Sequence, residues 1–259
     1  VTNDGLQLAV EVLGSGPPLV FGHGLTGNRH FTQMQVESLA HRYQVVIFDQ
    51  RGHCDSTPVT EPALYDPQLM AGDMPEILDV LGVETAVIGG ESMGAAVAVS
   101  FALQWPERVE KLLLTAPAFG DNPNAVAPEI ALMAGAVEAL GMEGYLATAK
   151  ERQLDELGWP PEMVDFMQKM HGSHDGRSFA TACRAVMAWT PFADLAELQA
   201  LTMPTCIVAW DGDPLHPYTL AERYAAEIPH SRLERLPSMM DLFVNPGQVG
   251  EIYGRFLAK

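Results

Sequence analysis

The chain is short of positive charge. Against 33 Asp and Glu it carries only 15 Lys and Arg, a formal net charge of −18 over 259 residues. Nucleic-acid binding depends on basic side chains neutralising phosphates, so that class of partner is not expected. Adsorption to an anionic membrane surface is disfavoured for the same reason. No run of consecutive apolar residues reaches the length that spans a bilayer, and no membrane-crossing helix is expected. Cysteine is scarce: Cys54, Cys183 and Cys206 are widely spaced and form no C-x-x-C pair. Free thiols in a reduced, cytoplasmic setting are the simplest reading, with no zinc site. The opening residues Val1-Thr2-Asn3-Asp4-Gly5 lack a basic-then-apolar layout, so no signal peptide is expected. There is no internal repeat, no low-complexity tract and no phosphate-cradling G-x-x-x-x-G-K, and no metal or organic cofactor is implied.

What is present is a rhythm of short β-rich apolar runs alternating with longer helical patterns. That is the signature of βαβ units and a mainly parallel sheet flanked by helices. Leu6 to Val12 alternates at period two and reads as an antiparallel edge strand. Pro18–Phe21, Gln44–Phe48, Thr85–Gly89, Lys111–Thr115, Thr205–Ala209 and Arg232–Leu236 read as buried strands. Helices are expected from Asn28 to about Ala40, from Asp66-Pro67 to Leu81-Gly82, over Ser92–Gln104, and over Pro217–Ile228 and Pro246–Leu257. Residues 121–201 contain no convincing strand and read as a helical cap inserted into an α/β core made of 1–120 and 202–259. In the cap, Met163, Met167 and Met170 sit at helical spacing, an apolar packing face that can also line a pocket. His171 and His174 read first as exposed helix-end histidines, with a reach down towards the site as alternative bases the second reading.

Chemistry concentrates at Gly90-Glu91-Ser92-Met93-Gly94, a G-x-S-x-G sequence between a strand and an Ala-rich helix. A tight strand-to-helix turn there forces an unusual backbone on Ser92, and the flanking glycines tolerate the crowding. The serine hydroxyl then stands at the carboxyl end of the sheet, over a helix N-terminus. Together with Phe21-Gly22-His23-Gly24-Leu25 and Asp49-Gln50-Arg51-Gly52-His53-Cys54-Asp55-Ser56, this motif resembles the α/β-hydrolase family over essentially the whole chain. The second segment is similar to the family's His-Gly oxyanion loop. The third is similar to its D-x-R-G-x-G-x-S turn, with Cys54 in place of the usual glycine. The resemblance implies that Ser92 is the nucleophile and that the Leu25 and Met93 amides hold the oxyanion. It leaves His23, Arg51 and Asp55 structural roles.

Trp210-Asp211-Gly212-Asp213-Pro214-Leu215-His216-Pro217 resembles the family's acid-bearing segment, and the spacing to Pro217 selects Asp213 over Asp211. The family's catalytic histidine belongs after the last strand, where this chain reads Leu236-Pro237-Ser238-Met239-Met240-Asp241. Met240, or failing that Met239, occupies the position, and a thioether takes no proton at neutral pH. No histidine follows His230. Four readings stay open: an alternative base, with His216 the first candidate; an inactive or engineered hydrolase; a small-molecule-binding protein; or a lyase or cyclase that uses the oxyanion hole without acylating serine. The expected activity is hydrolysis of a small ester, lactone or related acyl compound by a hydrolase short of its usual base. The expected partner is a small molecule, and oligomeric state is left open.

Overall fold

The computed structural model describes residues 1–259, the side chain of Thr2 excepted. Elements follow in the order β1 Thr2–Asn3, β2 Leu6–Gln7, β3 Val10–Leu13, β4 Pro18–Gly22, α1 Arg29–Val36, β5 Gln44–Phe48, α2 Pro67–Ala71, α3 Asp73–Leu81, β6 Ala86–Glu91, α4 Met93–Gln104 and β7 Val109–Thr115. Then come α5 Ala127–Glu151, α6 Pro161–Gly172, α7 Gly176–Met187, β8 Thr205–Ala209, α8 Tyr218–Glu227, β9 Ser231–Arg235, α9 Asp241–Val244 and α10 Gly247–Leu257.

Seven strands form one sheet in the order β3-β5-β4-β6-β7-β8-β9. β3 runs antiparallel to β5 and every other neighbour is parallel. Successive side chains of a strand point to opposite faces, and the core divides accordingly. Val20, Val46, Ile88, Leu112, Leu114 and Ile207 pack with α2, α3, α4 and α8. Leu19, Phe21, Val45, Ile47, Leu113 and Val208 pack with α1 and α10. Each such fully buried side chain contributes about 1.5–3 kcal/mol of transfer free energy.

Two elements differ from the sequence expectation, each for a local reason. The edge strand expected over Leu6–Val12 is split, because the Gln7 and Ala9 amides donate to the Thr57 and Ser56 hydroxyls rather than to a ladder partner. The helix expected from Asp66 to Leu81 breaks at Gly72 into α2 and α3. Pro75 has no N–H for the carbonyl of Ala71, and its ring crowds that carbonyl; the adjacent Gly72 carbonyl accepts from the Asn3 side-chain amide at 3.0 Å. The caps follow side-chain chemistry: Asn28 accepts from the Phe31 amide, Asp66 from Gln68 and Leu69, and Asp175 from Ser178.

Between β7 and β8 the chain is helical. α5 packs mainly on α7 and is interrupted at Gly141, whose φ of 71° no ordinary helix position adopts. By length and composition alone the run Ala127–Glu156 qualifies to cross a membrane, which a count of consecutive apolar residues does not reveal.

Candidate active site

Three strand ends meet around Ser92. β6 delivers Glu91 and the serine, the loop after β4 delivers Gly24 to Gly27, and the loop after β8 delivers Trp210 to His216. Carboxyl ends of parallel strands are where open α/β sheets bind ligands.

Ser92 has φ 53° and ψ −109°, a conformation that costs a non-glycine residue about 1–3 kcal/mol. The turn closes on itself because its neighbours lack side chains. A Cβ on Gly90 would lie 2.3 Å from the Gly94 carbonyl, and one on Gly94 would lie 2.4 Å from Gly22 O. Serine is a good helix N-cap, yet Ser92 makes no capping hydrogen bond at α4. Its hydroxyl is turned instead to His216, with Oγ 2.9 Å from Nε2. The other ring nitrogen, Nδ1, donates to Asp213 Oδ2 at 2.7 Å. A carboxylate only accepts, so Nδ1 carries the hydrogen and Nε2 is free to accept from Ser92.

Asp213 is held by more than the imidazole. Trp210 Nε1–H donates to Oδ2 at 3.0 Å, and the Leu215 amide donates to Oδ1 at 2.9 Å. Burial alone pushes this carboxyl up, but the His216 contact and these donors outweigh it and hold it at about 2. Trp210, standing where the family has glycine, is thus a partner of Asp213 that the sequence pattern did not reveal.

The loop after β4 is fixed by buried histidines. The Gln50 amide donates to His23 Nε2 at 2.9 Å, so Nδ1 holds the proton and donates to Gly24 O at 2.7 Å. The Gly27 amide donates to the same carbonyl at 3.0 Å. In a trans peptide the N–H points opposite the C=O, so pinning Gly24 O turns the Leu25 N–H to the other side. Gly24 itself lies against Ser92: a Cβ there would be 3.4 Å from the Ser92 Cβ. The Met93 amide opens α4, in the first turn, where amides lack intrahelical acceptors.

His171 and His174 are not exposed helix ends. Both are only 6% accessible, and burial lowers them to about 4 and about 3. His174 Nε2 lies 3.1 Å from Gly27 O and 3.5 Å from Cys54 Sγ, joining the helical segment to the loop after β4. His171 Nδ1 meets the Tyr145 hydroxyl at 3.1 Å. Neither is hydrogen-bonded to Ser92. Arg51 makes a buried bidentate pair with Asp73, at 2.8 and 2.7 Å, and Asp55 pairs with Arg29. Cys54 adopts φ 45°, in the region its family glycine favours, and burial pushes its thiol up to about 12.

Met240 stands at the start of α9, 38% exposed. Among the described residues that line the cavity, Met239 is present and Met240 is not. Neither sulfur is hydrogen-bonded to Ser92 or Asp213. The cavity over Ser92 has a volume of about 160 Å³ and is walled largely by apolar side chains, including Phe31, Phe119, Met167, Met170 and Phe243. Among the described residues no cluster of His, Cys, Asp and Glu has the arrangement of a metal site.

Comparison with known proteins agrees with this architecture. A provisionally named carbamate hydrolase of Azorhizobium caulinodans is 28% identical over 234 residues, covering 88% of this chain and 85% of that protein. The 3-oxoadipate enol-lactonase 1 of Acinetobacter baylyi is 30% identical over 238 residues, 86% of this chain and 82% of its own. The structure of a thermophilic esterase from Thermogutta terrifontis superposes with a TM-score of 0.81 at 26% identity, covering 99% of this chain and 95% of that one. These relatives are hydrolases. Residues 17–158 match the model of the alpha/beta hydrolase fold family, more than half of the chain. With the sheet order, the turn at Ser92 and these relatives in agreement, the chain belongs to the alpha/beta hydrolase fold family.

Proposed function

We propose that the protein is a serine hydrolase of small, fairly apolar esters, lactones or related acyl compounds, and that His216 is its general base. The observation that carries this reading is the 2.9 Å contact between His216 Nε2 and Ser92 Oγ, with Asp213 2.7 Å behind the ring. Geometry of this kind defines a triad whatever the order or position of its members in the chain.

In the first half-reaction Ser92 Oγ attacks the acyl carbon as its proton passes to His216 Nε2. The carbonyl oxygen becomes an oxyanion, held by the Leu25 and Met93 amides, each worth a few kcal/mol in the transition state. Asp213 stabilises the imidazolium, and Trp210 and the Leu215 amide keep that carboxylate charged and oriented. His216 then returns the proton to the departing alkoxide, leaving an acyl-serine. In the second half, water gives its proton to His216 and attacks the same carbon, and Ser92 recovers its hydrogen. Residues 121–201 act as a cap that supplies Ile130, Met167, Met170 and Met187 to the cavity wall. The base has thus moved to the loop of the acid, and Met239, Leu242 and Phe243 serve as wall. This favours a working hydrolase over a binding protein that has lost its proton shuttle.

Incubation with a fluorophosphonate and peptide mapping by mass spectrometry tests the reading. A single adduct on Ser92 is expected. An unmodified Ser92 in folded protein contradicts it.

A further inference from the structure

Glu91, the residue before the nucleophile, is a buried carboxyl that the proton shuttle does not use. It is 8% accessible and lines the cavity beside Ser92 and His216. Its Oε2 accepts from Gln35 Nε2 at 2.8 Å. No hydrogen bond engages its Oε1, and the side chain stands in the cavity wall. No guanidinium or ammonium pairs with Glu91, and among the described residues that line the cavity none is Lys or Arg.

An acyl compound bearing its own carboxylate would leave water for a largely apolar pocket whose lining holds no Lys or Arg to receive it. It would also bring that charge towards Glu91, where the low dielectric amplifies like-charge repulsion. Both effects act in the same direction. A neutral compound of the same shape suffers neither. We infer that Glu91 is a specificity-determining residue that restricts the Ser92 site to uncharged acyl compounds and turns away those carrying a free carboxylate. The dicarboxylate chemistry in the name 3-oxoadipate, carried by one relative, is therefore not expected to transfer to this pocket. The inference rests on the cavity over Ser92 being the substrate site.

The test needs no turnover. Hexanamide and hexanoate, matched in shape and differing in charge, are titrated calorimetrically into the Ser92→Ala protein at about pH 8.5. Hexanamide is expected to bind about tenfold tighter or more. Glu91→Gln in the same background is expected to narrow that ratio severalfold. Equal binding of the two ligands, tighter binding of hexanoate, or binding of neither overturns the inference, as does a ratio that Glu91→Gln leaves unchanged. The parallel kinetic comparison uses the methyl ester and the free acid of mono-4-nitrophenyl glutarate, corrected for spontaneous hydrolysis. The same preference in kcat/KM is expected from the wild-type protein. Charge discrimination in binding without hydrolysis of either ester would overturn the hydrolase reading alone. Hydrolysis of both with no preference would overturn the role of Glu91 alone.

Discussion

Asp213 and His216 lie three residues apart on one loop, and their side chains meet at 2.7 Å. Both side chains are therefore placed by a single backbone segment, the one that links β8 to α8. The proposed triad needs only two anchor points in the sheet, the end of β6 for Ser92 and the end of β8 for the pair.

Asp213→Asn leaves the shape of the loop but gives the ring a neutral partner that neither enforces the tautomer nor stabilises the imidazolium. Its kcat on p-nitrophenyl butyrate is expected to fall about 10⁴-fold. Trp210→Phe keeps the aromatic wall and removes one donor to the carboxylate. A fall of about tenfold in kcat with a small change in KM is expected, the size of one hydrogen bond to a charged group. An effect confined to KM would show that Trp210 only lines the pocket.

Met240→His restores the residue type that the family pattern places after the last strand. Because Met240 is exposed at the start of α9 and Ser92 already has His216, kcat/KM is expected to change by less than about threefold. A large rise in steady-state hydrolysis by this variant would mean that the site lacks its base in the parent.

How far the sequence could be read follows from the range of each interaction. The turn at Ser92 is legible because its determinants are local: a strand, two glycines and an Ala-rich helix within a short window. The alternation of Leu19, Val20 and Phe21 between two core faces is legible for the same reason. His216 is legible as the first candidate for an alternative base from its place three residues after Asp213. That its ring also reaches a serine 124 residues away depends on β6 and β8 flanking β7, which no local pattern encodes. The Trp210 bond to Asp213 hides in a short-range side-chain geometry, since a tryptophan at a glycine position reads first as a packing residue. The burial of His171 and His174 depends on how α6 and α7 settle onto the loop after β4. The break at Gly72 was readable from Pro75 but was masked by an apolar pattern that continues through it.

Gly90→Ala tests the packing of the turn. Its Cβ would overlap the Gly94 carbonyl carbon at 2.3 Å, and both atoms belong to backbone that cannot swing aside. Urea denaturation is expected to show a loss of about 3 kcal/mol. A variant as stable as the parent would mean that the strand-to-helix turn is looser than described.

Acid should loosen the junction between the helical segment and the loop after β4. Burial lowers His171 to about 4 and His174 to about 3, whereas in the unfolded chain both titrate near 6.5. The unfolded state therefore binds these protons first, so stability is full above that unfolded value and is lost as pH falls towards the folded values. By about pH 5 each costs on the order of 2 kcal/mol. Burial acts in the same direction on His23 and His53. Glu91, raised by burial, opposes them, since its folded form holds its proton more tightly than the unfolded chain. Thermal melts are expected to show a falling Tm between about pH 6.5 and 4, with a shallower fall for His174→Asn. A flat profile over that range would contradict the buried, neutral state of these rings.

The most direct measurement is the effect of His216→Ala on hydrolysis of p-nitrophenyl butyrate, with circular dichroism to establish that the variant is folded. Removal of the base from an otherwise intact site should lower kcat by about 10³-fold or more while KM changes little. A folded His216→Ala protein that turns over as fast as its parent would contradict the assignment of His216 as the base that serves Ser92.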